Sequence, residues 1–268
     1  MSIRFEDFQN PAKLVLIAGP CVIESEEHVH RMADAISVIA AEQGFPYVFK
    51  ASYDKANRTS LKGYRGPGIR EGLRILGGLR ARGYSILTDV HETAHVAPAA
   101  DVVDILQIPA FLCRQTDLLL EAGRTDRIVN IKKGQFVAPH DIHHAGEKVE
   151  SAGNHRVVLT ERGSSFGYNN LVVDMRGLKV MAESGWPVVF DATHSVQLPS
   201  GGGAASGGQP QFIEPLASAA VAVGVSGIFV EVHDEPERAL SDGPNALRLS
   251  LLPEFLRRMR LLNEARLA

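Results

Sequence analysis

Short apolar runs recur along the chain, and each breaks into a polar or charged residue at its C-terminal end. The runs are Leu14 to Ala18, Tyr47 to Phe49, Ser85 to Thr88, Ile105 to Ile108, Ile128 to Ile131, Val157 to Thr160, Val188 to Phe190 and Ile228 to Val230. Segments long enough for a helix separate them. Glu26 to Gln43 has apolar residues near a 3.6-residue spacing, and Gly68 to Arg82 repeats this with Ile69, Leu73, Leu76 and Leu79. Leu252 to Leu267 is a final amphipathic helix whose arginine-rich face reads as solvated surface. Strands alternating with helices imply βαβ units and a parallel sheet, because parallel neighbours need a long crossover that a helix supplies. Eight such units predict an α/β fold, a single-domain (β/α)8 TIM barrel over residues 14–268. Residues 1–13 form a short extension or barrel plug, with Pro11 ending any regular structure there.

In such a barrel the chemistry sits at the C-terminal mouth, so the residues just past each run become candidates. They are Cys21, Lys50, Lys55, Asp89, Gln107, Lys132, Arg162, His194 and Glu231. Two loops stand out beside them. Asp54 to Gly68 combines cationic side chains with Gly63, Gly66, Pro67 and Gly68. Leu198 to Gly208 holds Gly201, Gly202, Gly203, Gly207 and Gly208, and its backbone freedom close after His194 suits a substrate-covering lid.

Composition narrows the class. With 45% hydrophobic and 22% charged residues in 268, the chain buries a sizeable core and is not disordered. A formal net charge of −3 gives no global attraction for nucleic acid or an anionic membrane, so any anion site is local. Two cysteines make no disulfide framework, the N-terminus lacks a signal-peptide pattern, and no apolar run approaches the roughly 20 residues of a membrane span. A cytoplasmic protein is expected. No G-x-G-x-x-G sits at a strand-to-helix turn and no G-x-x-x-x-G-K-[ST] occurs, which removes the usual nucleotide-binding signatures.

Two constellations carry chemistry. Lys50, Lys55, Arg58, Lys132, Lys133 and Arg162 come from three strand ends, and converging cations oppose one another's charging unless an anion lies between them. A phosphorylated or carboxylated ligand resolves that conflict; structural salt bridges are the alternative. Cys21, His194, Glu231 and Asp242 combine a thiol, an imidazole and two carboxylates, a mixed set suited to a divalent transition ion. His233 is either an alternative ligand or a structural partner. A Ser-His-Asp hydrolase built on Asp191, His194 and Ser195 lacks its G-x-S-x-G.

Specific strings resemble the 3-deoxy-D-manno-octulosonate 8-phosphate synthases. They are Phe49-Lys50-Ala51-Ser52 with Lys55-Ala56-Asn57-Arg58-Thr59-Ser60, Ile17-Ala18-Gly19-Pro20-Cys21, Gln107-Ile108-Pro109-Ala110-Phe111-Leu112-Cys113-Arg114-Gln115-Thr116-Asp117, Thr160-Glu161-Arg162-Gly163 with Phe166-Gly167-Tyr168-Asn169-Asn170, and Asp191-Ala192-Thr193-His194-Ser195. The resemblance implies a barrel, usually homotetrameric, that condenses phosphoenolpyruvate with D-arabinose 5-phosphate, releases phosphate and feeds lipopolysaccharide inner-core synthesis. Related 3-deoxy-heptulosonate 7-phosphate synthases usually carry Lys-Pro-Arg where this chain has Ala56-Asn57 between Lys55 and Arg58. That favours the five-carbon sugar over erythrose 4-phosphate, the seven-carbon synthase and a catalytically silent sugar-phosphate-binding barrel being the alternatives.

By the same resemblance, Lys50, Lys55, Gln107, Lys132 and Arg162 are phosphoenolpyruvate contacts, and Asn57, Arg58 and Thr59 are sugar-phosphate contacts. Arg114 resembles an arginine that reaches in from a neighbouring subunit. His194, Asp89, Glu231 and Lys55 are the catalytic candidates. The metal-free branch of the family carries asparagine where this chain has Cys21, so Cys21, His194, Glu231 and Asp242 imply a divalent ion such as Zn, Fe or Mn, although Asp242-Gly243-Pro244 is similar to the metal-free branch.

Overall fold

The computed structural model describes residues 2–57, 60–202 and 205–268. Parallel strands β1 (Val15–Gly19), β2 (Tyr47–Lys50), β3 (Ile86–Asp89), β4 (Ile105–Ile108), β5 (Ile128–Lys132), β6 (Val157–Glu161), β7 (Val188–Asp191) and β8 (Gly227–His233) each pair with the next. The sheet closes because β1 also pairs with β8, with Gly19 opposite Glu231. Every predicted run is a strand, and six of the strands extend onto the polar residue that ended the run: Lys50, Asp89, Lys132, Glu161, Asp191 and Glu231.

Helices α1 (Phe5–Gln9), α2 (Glu26–Glu42), α3 (Ile69–Ala81), α4 (Thr93–Val102), α5 (Thr116–Gly123), α6 (His143–Ser151), α7 (Arg176–Ala182), α8 (Ile213–Val223) and α9 (Leu252–Leu267) accompany the strands. The start of α2 shows the local logic. Ser25 in extended conformation accepts from the His28 N–H at 3.1 Å, and Glu26 and Glu27 place negative charge in the first turn. Along α3 the apolar stripe of Leu73, Ile75, Leu76 and Leu79 is buried, as the 3.6-residue spacing requires. No helix among the described residues is long and apolar enough to cross a membrane.

The alternation of strand side chains divides the core in two. Leu16, Ala18 and Phe49 pack outward with the helices. Val15, Ile17, Val48, Leu87, Ile105, Ile128, Val158, Val189 and Phe229 form a separate cluster inside the barrel, joined by Ile3 and Phe8 from the N-terminal segment. That segment is fastened by the Ile3 N–H to Ser85 Oγ at 2.8 Å. Two residues after the inward apolar residue, the same row of most strands turns polar: Lys50, Asp89, Gln107, Asn130, Thr160, Asp191 and Glu231. The barrel therefore has an apolar floor and a polar upper interior.

One expectation is corrected. The glycine-rich segment after His194, read as a loop, is an antiparallel hairpin of Gln197–Gly202 and Ala205–Gly208, with Leu198 opposite Gly207. Glycine permits loops but does not forbid extended pairing, so its abundance did not distinguish the two. Gly203 lies outside the described residues.

Candidate active site

A close approach of β1 to β2 begins the site. A β-carbon on Gly19 would stand 2.1 Å from the Lys50 carbonyl oxygen, so glycine alone lets the strands meet there. The chain then turns to bring the Cys21 carbonyl to Lys50 Nζ at 2.9 Å. Lys50, 1% exposed, also donates to Glu231 Oε1 at 2.7 Å, and Lys55 Nζ stands 3.9 Å from the same oxygen. Across the barrel Lys132 Nζ lies 2.5 Å from Asp191 Oδ2 and 4.0 Å from the Phe229 ring centroid. Asp191 Oδ2 also holds His194 Nδ1 at 2.8 Å, while His194 Nε2 stands 3.5 Å from Glu231 Oε1.

These contacts set the charges. Burial opposes ionisation of Glu231, but His194, Lys50 and Lys55 outweigh it and hold the carboxyl well below the usual range. Asp89 is held low in the same way, burial being overcome by Lys50 and Lys55. Burial pulls Lys132 down against the opposing pull of Asp191. The lysines thus have carboxylate partners within the chain, as the salt-bridge alternative foresaw. Arg162 differs. Its Nη2 donates to Gln197 Oε1 at 2.5 Å and to the His194 carbonyl at 3.3 Å, whereas buried Nη1 has no hydrogen-bond partner among the described residues.

Cys21, Glu231 and Asp242 offer ligand atoms that all lie within 4.8 Å of one another. Cys21 Sγ is 2.8 Å from Ser241 Oγ and 3.4 Å from Asp242 Oδ2. Burial, then the charge of Glu231, push the thiol pKa far up, so without a cation it stays protonated. Glu231 Oε2 is buried without a hydrogen-bond partner among the described residues. A thiol and two carboxylates fit a borderline-soft divalent ion, and His194, outside that group of three, stands beside it with Nε2 3.5 Å from Glu231 Oε1 and Nδ1 3.3 Å from Lys132 Nζ.

Not every sequence candidate enters this cluster. Lys133 turns away from it: its ammonium donates to the Val137 carbonyl and Ser164 Oγ, both at 3.1 Å, and pairs with Glu161 at 3.5 Å, tying together the loops after β5 and β6. His233 packs instead with Glu24 and His28, apart from Cys21 and Asp242. Asn57 and Arg114 are exposed on loops, and Arg58 and Thr59 lie outside the described residues. Gln107 bridges the interior, its Nε2 donating to Asp89 at 2.6 Å and its Oε1 accepting from Asn130 at 2.8 Å. Thr160 extends the belt to Asn130 at 2.6 Å, and Ser52 closes its other end on Asp89. Asp191, Asn130, Thr160 and Ser52 were not picked out from sequence as site residues. Asp191, Asn130 and Thr160 share one readable signal, a polar residue two positions after an inward apolar one.

A model of the DAHP synthetase I family matches residues 9–267. The chain is 61% identical over 244 residues to a protein of Pelobacter propionicus named 2-dehydro-3-deoxyphosphooctonate aldolase, covering 91% of this chain and 90% of that one. Proteins of the same name from Koribacter versatilis (61% over 257 residues, 94% and 92% covered) and Geobacter sulfurreducens (57% over 251 residues, 93% and 92% covered) are similar throughout.

Proposed function

The chain belongs to the DAHP synthetase I family, and from that premise we propose that it condenses phosphoenolpyruvate with D-arabinose 5-phosphate and water, giving 3-deoxy-D-manno-octulosonate 8-phosphate and inorganic phosphate. This is the activity its relatives are named for, whereas a seven-carbon synthase is supported only by the family's name. The observation that carries the reading is Arg162: a guanidinium 4% exposed, with one nitrogen unpartnered among the described residues, beside the buried lysines of the barrel interior. An anionic carboxylate or phosphate supplies the missing acceptor.

In the reaction the methylene carbon of phosphoenolpyruvate bonds to the aldehyde carbon of the sugar, whose oxygen takes up a proton. Water adds its oxygen to the carbon that bears the phosphate and gives up a proton; phosphate then leaves with the bridging oxygen as that C–O bond breaks, and the added oxygen loses its second proton to become the keto oxygen, so that the water's two protons are balanced by those taken up by the sugar oxygen and the phosphate. Lys50, Lys55, Lys132 and Arg162 bind the phosphoenolpyruvate anion and Gln107 orients it. Asp191 holds His194 with Nε2 toward Glu231, and the ionised carboxylate of Asp89, outside the cation-ligand set, is the group that holds the water or takes its proton. Cys21, His194, Glu231 and Asp242 would hold a divalent ion such as Zn, Fe or Mn, which supplies Lewis acidity and templating at the aldehyde and the water when bound. Asn57, Arg58 and Thr59 contact the sugar phosphate, and the hairpin after His194 covers it.

The protein acts in the cytoplasm as a homotetramer, with Arg114 completing a neighbour's site. Arg114 is exposed, and the loops after β4, β5 and β6 expose Phe111, Phe136, Phe166 and Tyr168, apolar surface of the kind that partners cover. A phosphate-release assay with both aldoses tests the substrate: arabinose 5-phosphate is expected to give the higher kcat/KM, and equal or reversed values for erythrose 4-phosphate would refute the assignment.

A further inference from the structure

Three members of the cation-ligand set are placed by barrel strands or the turns that directly follow them, but Asp242 is not. It sits well beyond the end of β8, with φ at +49°, a left-handed conformation that non-glycine residues seldom hold unless their surroundings impose it. Something else must fasten it.

Glu24, on the segment that leads from Cys21 into α2, accepts the Leu240 backbone N–H on Oε1 at 2.8 Å. The same oxygen lies 3.4 Å from His233 Nε2. His233, at the end of β8, accepts the Glu235 N–H on Nδ1 at 3.0 Å. Its Nε2 is buried without a hydrogen-bond partner among the described residues, so what ties Glu24 to this segment is the Leu240 N–H and not the imidazole. His28, on α2, packs its ring 4.6 Å from that of His233 and bonds through Nε2 to Asp234 Oδ1 at 3.0 Å. Asp234 is held in turn by Arg31 at 2.7 Å. Glu24, His28 and His233 also lie close enough together to suggest a second cation group, so cobalt binding there has to be distinguished from binding at Cys21 and Asp242.

The Glu24 contact acts along the backbone. Leu240, Ser241 and Asp242 are consecutive, so fixing the Leu240 N–H beside Glu24 brings Ser241 Oγ to 2.8 Å and Asp242 Oδ2 to 3.4 Å from Cys21 Sγ. On the far side a β-carbon at Gly243 would stand 2.1 Å from the Pro236 carbonyl oxygen, so the loop is drawn tightly onto the segment after β8.

We propose that Glu24 is a positioning residue for the cation site: by holding the Leu240 N–H it keeps the Asp242 carboxylate opposite Cys21, so that the ligand set is formed before an ion arrives. The proposal rests on the reading that Cys21, His194, Glu231 and Asp242 hold a divalent ion. Removing a partner that orients a ligand typically lowers metal affinity about ten- to a hundred-fold.

The test is a titration of the metal-stripped full chain with cobalt(II), following the sulfur-to-cobalt charge-transfer band, beside the melting temperature of the cobalt-free protein. Glu24→Ala is expected to weaken cobalt binding by about ten-fold or more. Glu24→Gln, whose amide oxygen still accepts from Leu240, should stay near wild type. Leu240→Pro deletes the donor alone and should weaken binding as Glu24→Ala does; Ala239, at φ −59° and ψ 134°, already has the backbone that precedes proline. It decides the matter if Glu24→Ala fails to fold. Wild-type affinity in both Glu24→Ala and Leu240→Pro overturns the positioning role and leaves the cation reading standing. So does a Glu24→Gln loss equal to that of alanine, or a second cobalt bound at Glu24, His28 and His233. A wild-type chain that gives no charge-transfer band overturns the cation reading itself, and the positioning role with it.

Discussion

Replacing Arg162 by alanine is expected to weaken phosphoenolpyruvate binding strongly while leaving the fold nearly as stable. A hydrogen bond to a charged group contributes about 1.5–3 kcal/mol, and each 1.4 kcal/mol is ten-fold, so the dissociation constant should rise roughly ten- to a hundred-fold. The effect on folding is smaller because opposing changes offset. The substitution leaves Gln197 Oε1 and the His194 carbonyl without this donor, about 1 kcal/mol each. It also removes a guanidinium whose burial already pulls its pKa down, relieving a desolvation cost of several kcal/mol that nearby carboxylates only partly repay. The assay is calorimetric titration with phosphoenolpyruvate beside a thermal melt. At about 2–4 °C per kcal/mol for a chain of this size, a shift of a few degrees is the most that fits. An unchanged dissociation constant would remove Arg162 from the anion site, and a weakening matched by an equally large loss of stability would make the residue structural.

Cys21→Ser and Cys21→Ala should lower metal content and activity together, whereas Cys21→Asn should keep partial activity that resists chelation; full wild-type activity after verified metal removal would sink the metal reading and spare the synthase assignment. Because burial and Glu231 raise the Cys21 pKa, the thiol is protonated at neutral pH and must lose that proton to bind an ion. Divalent-ion affinity should therefore rise with pH, by up to about ten-fold per unit below the thiol pKa, with about one proton released per ion in buffers of different ionisation enthalpy. Binding without proton release would show that the thiolate is not a ligand.

Most of the fold was legible because a parallel barrel writes itself in a local code: a short apolar run, a polar end and a helical interval. The runs at Ile105 to Ile108 and Leu252 to Leu267 match their elements residue for residue. The hairpin after His194 was not legible, since pairing Leu198 with Gly207 is a tertiary choice that glycine content leaves open. At the site, strand-end position identified Lys50, Lys132, Arg162 and Glu231, but it treated Lys133 as equivalent to Lys132. The period-2 rule separates them: Lys132 shares the face of Ile128 and Asn130, and the next residue must point the other way, into the Glu161 pair. The same rule would have singled out Asp191, which follows inward Val189.

Charge was the harder quantity to read, because its balance depends on which rows meet. The lysines and arginine Lys50, Lys55, Lys132 and Arg162 converge as expected, yet Asp89, Asp191, Glu231 and Asp242 are interleaved with them in equal number. The interior is therefore close to neutral as it stands and does not by itself attract a multiply charged anion. Phosphoenolpyruvate brings a carboxylate and a phosphate into that neutral space, and the sugar brings a second phosphate. A divalent ion that displaces the Cys21 proton adds one net positive charge beside Glu231, on the side of the barrel where Lys50 and Lys55 are already committed to that carboxylate. The proposed ligand set and the cationic row thus meet through Glu231: the carboxylate that restrains the lysines through Oε1 also has a second buried oxygen, Oε2, without a hydrogen-bond partner among the described residues, where a cation would find it.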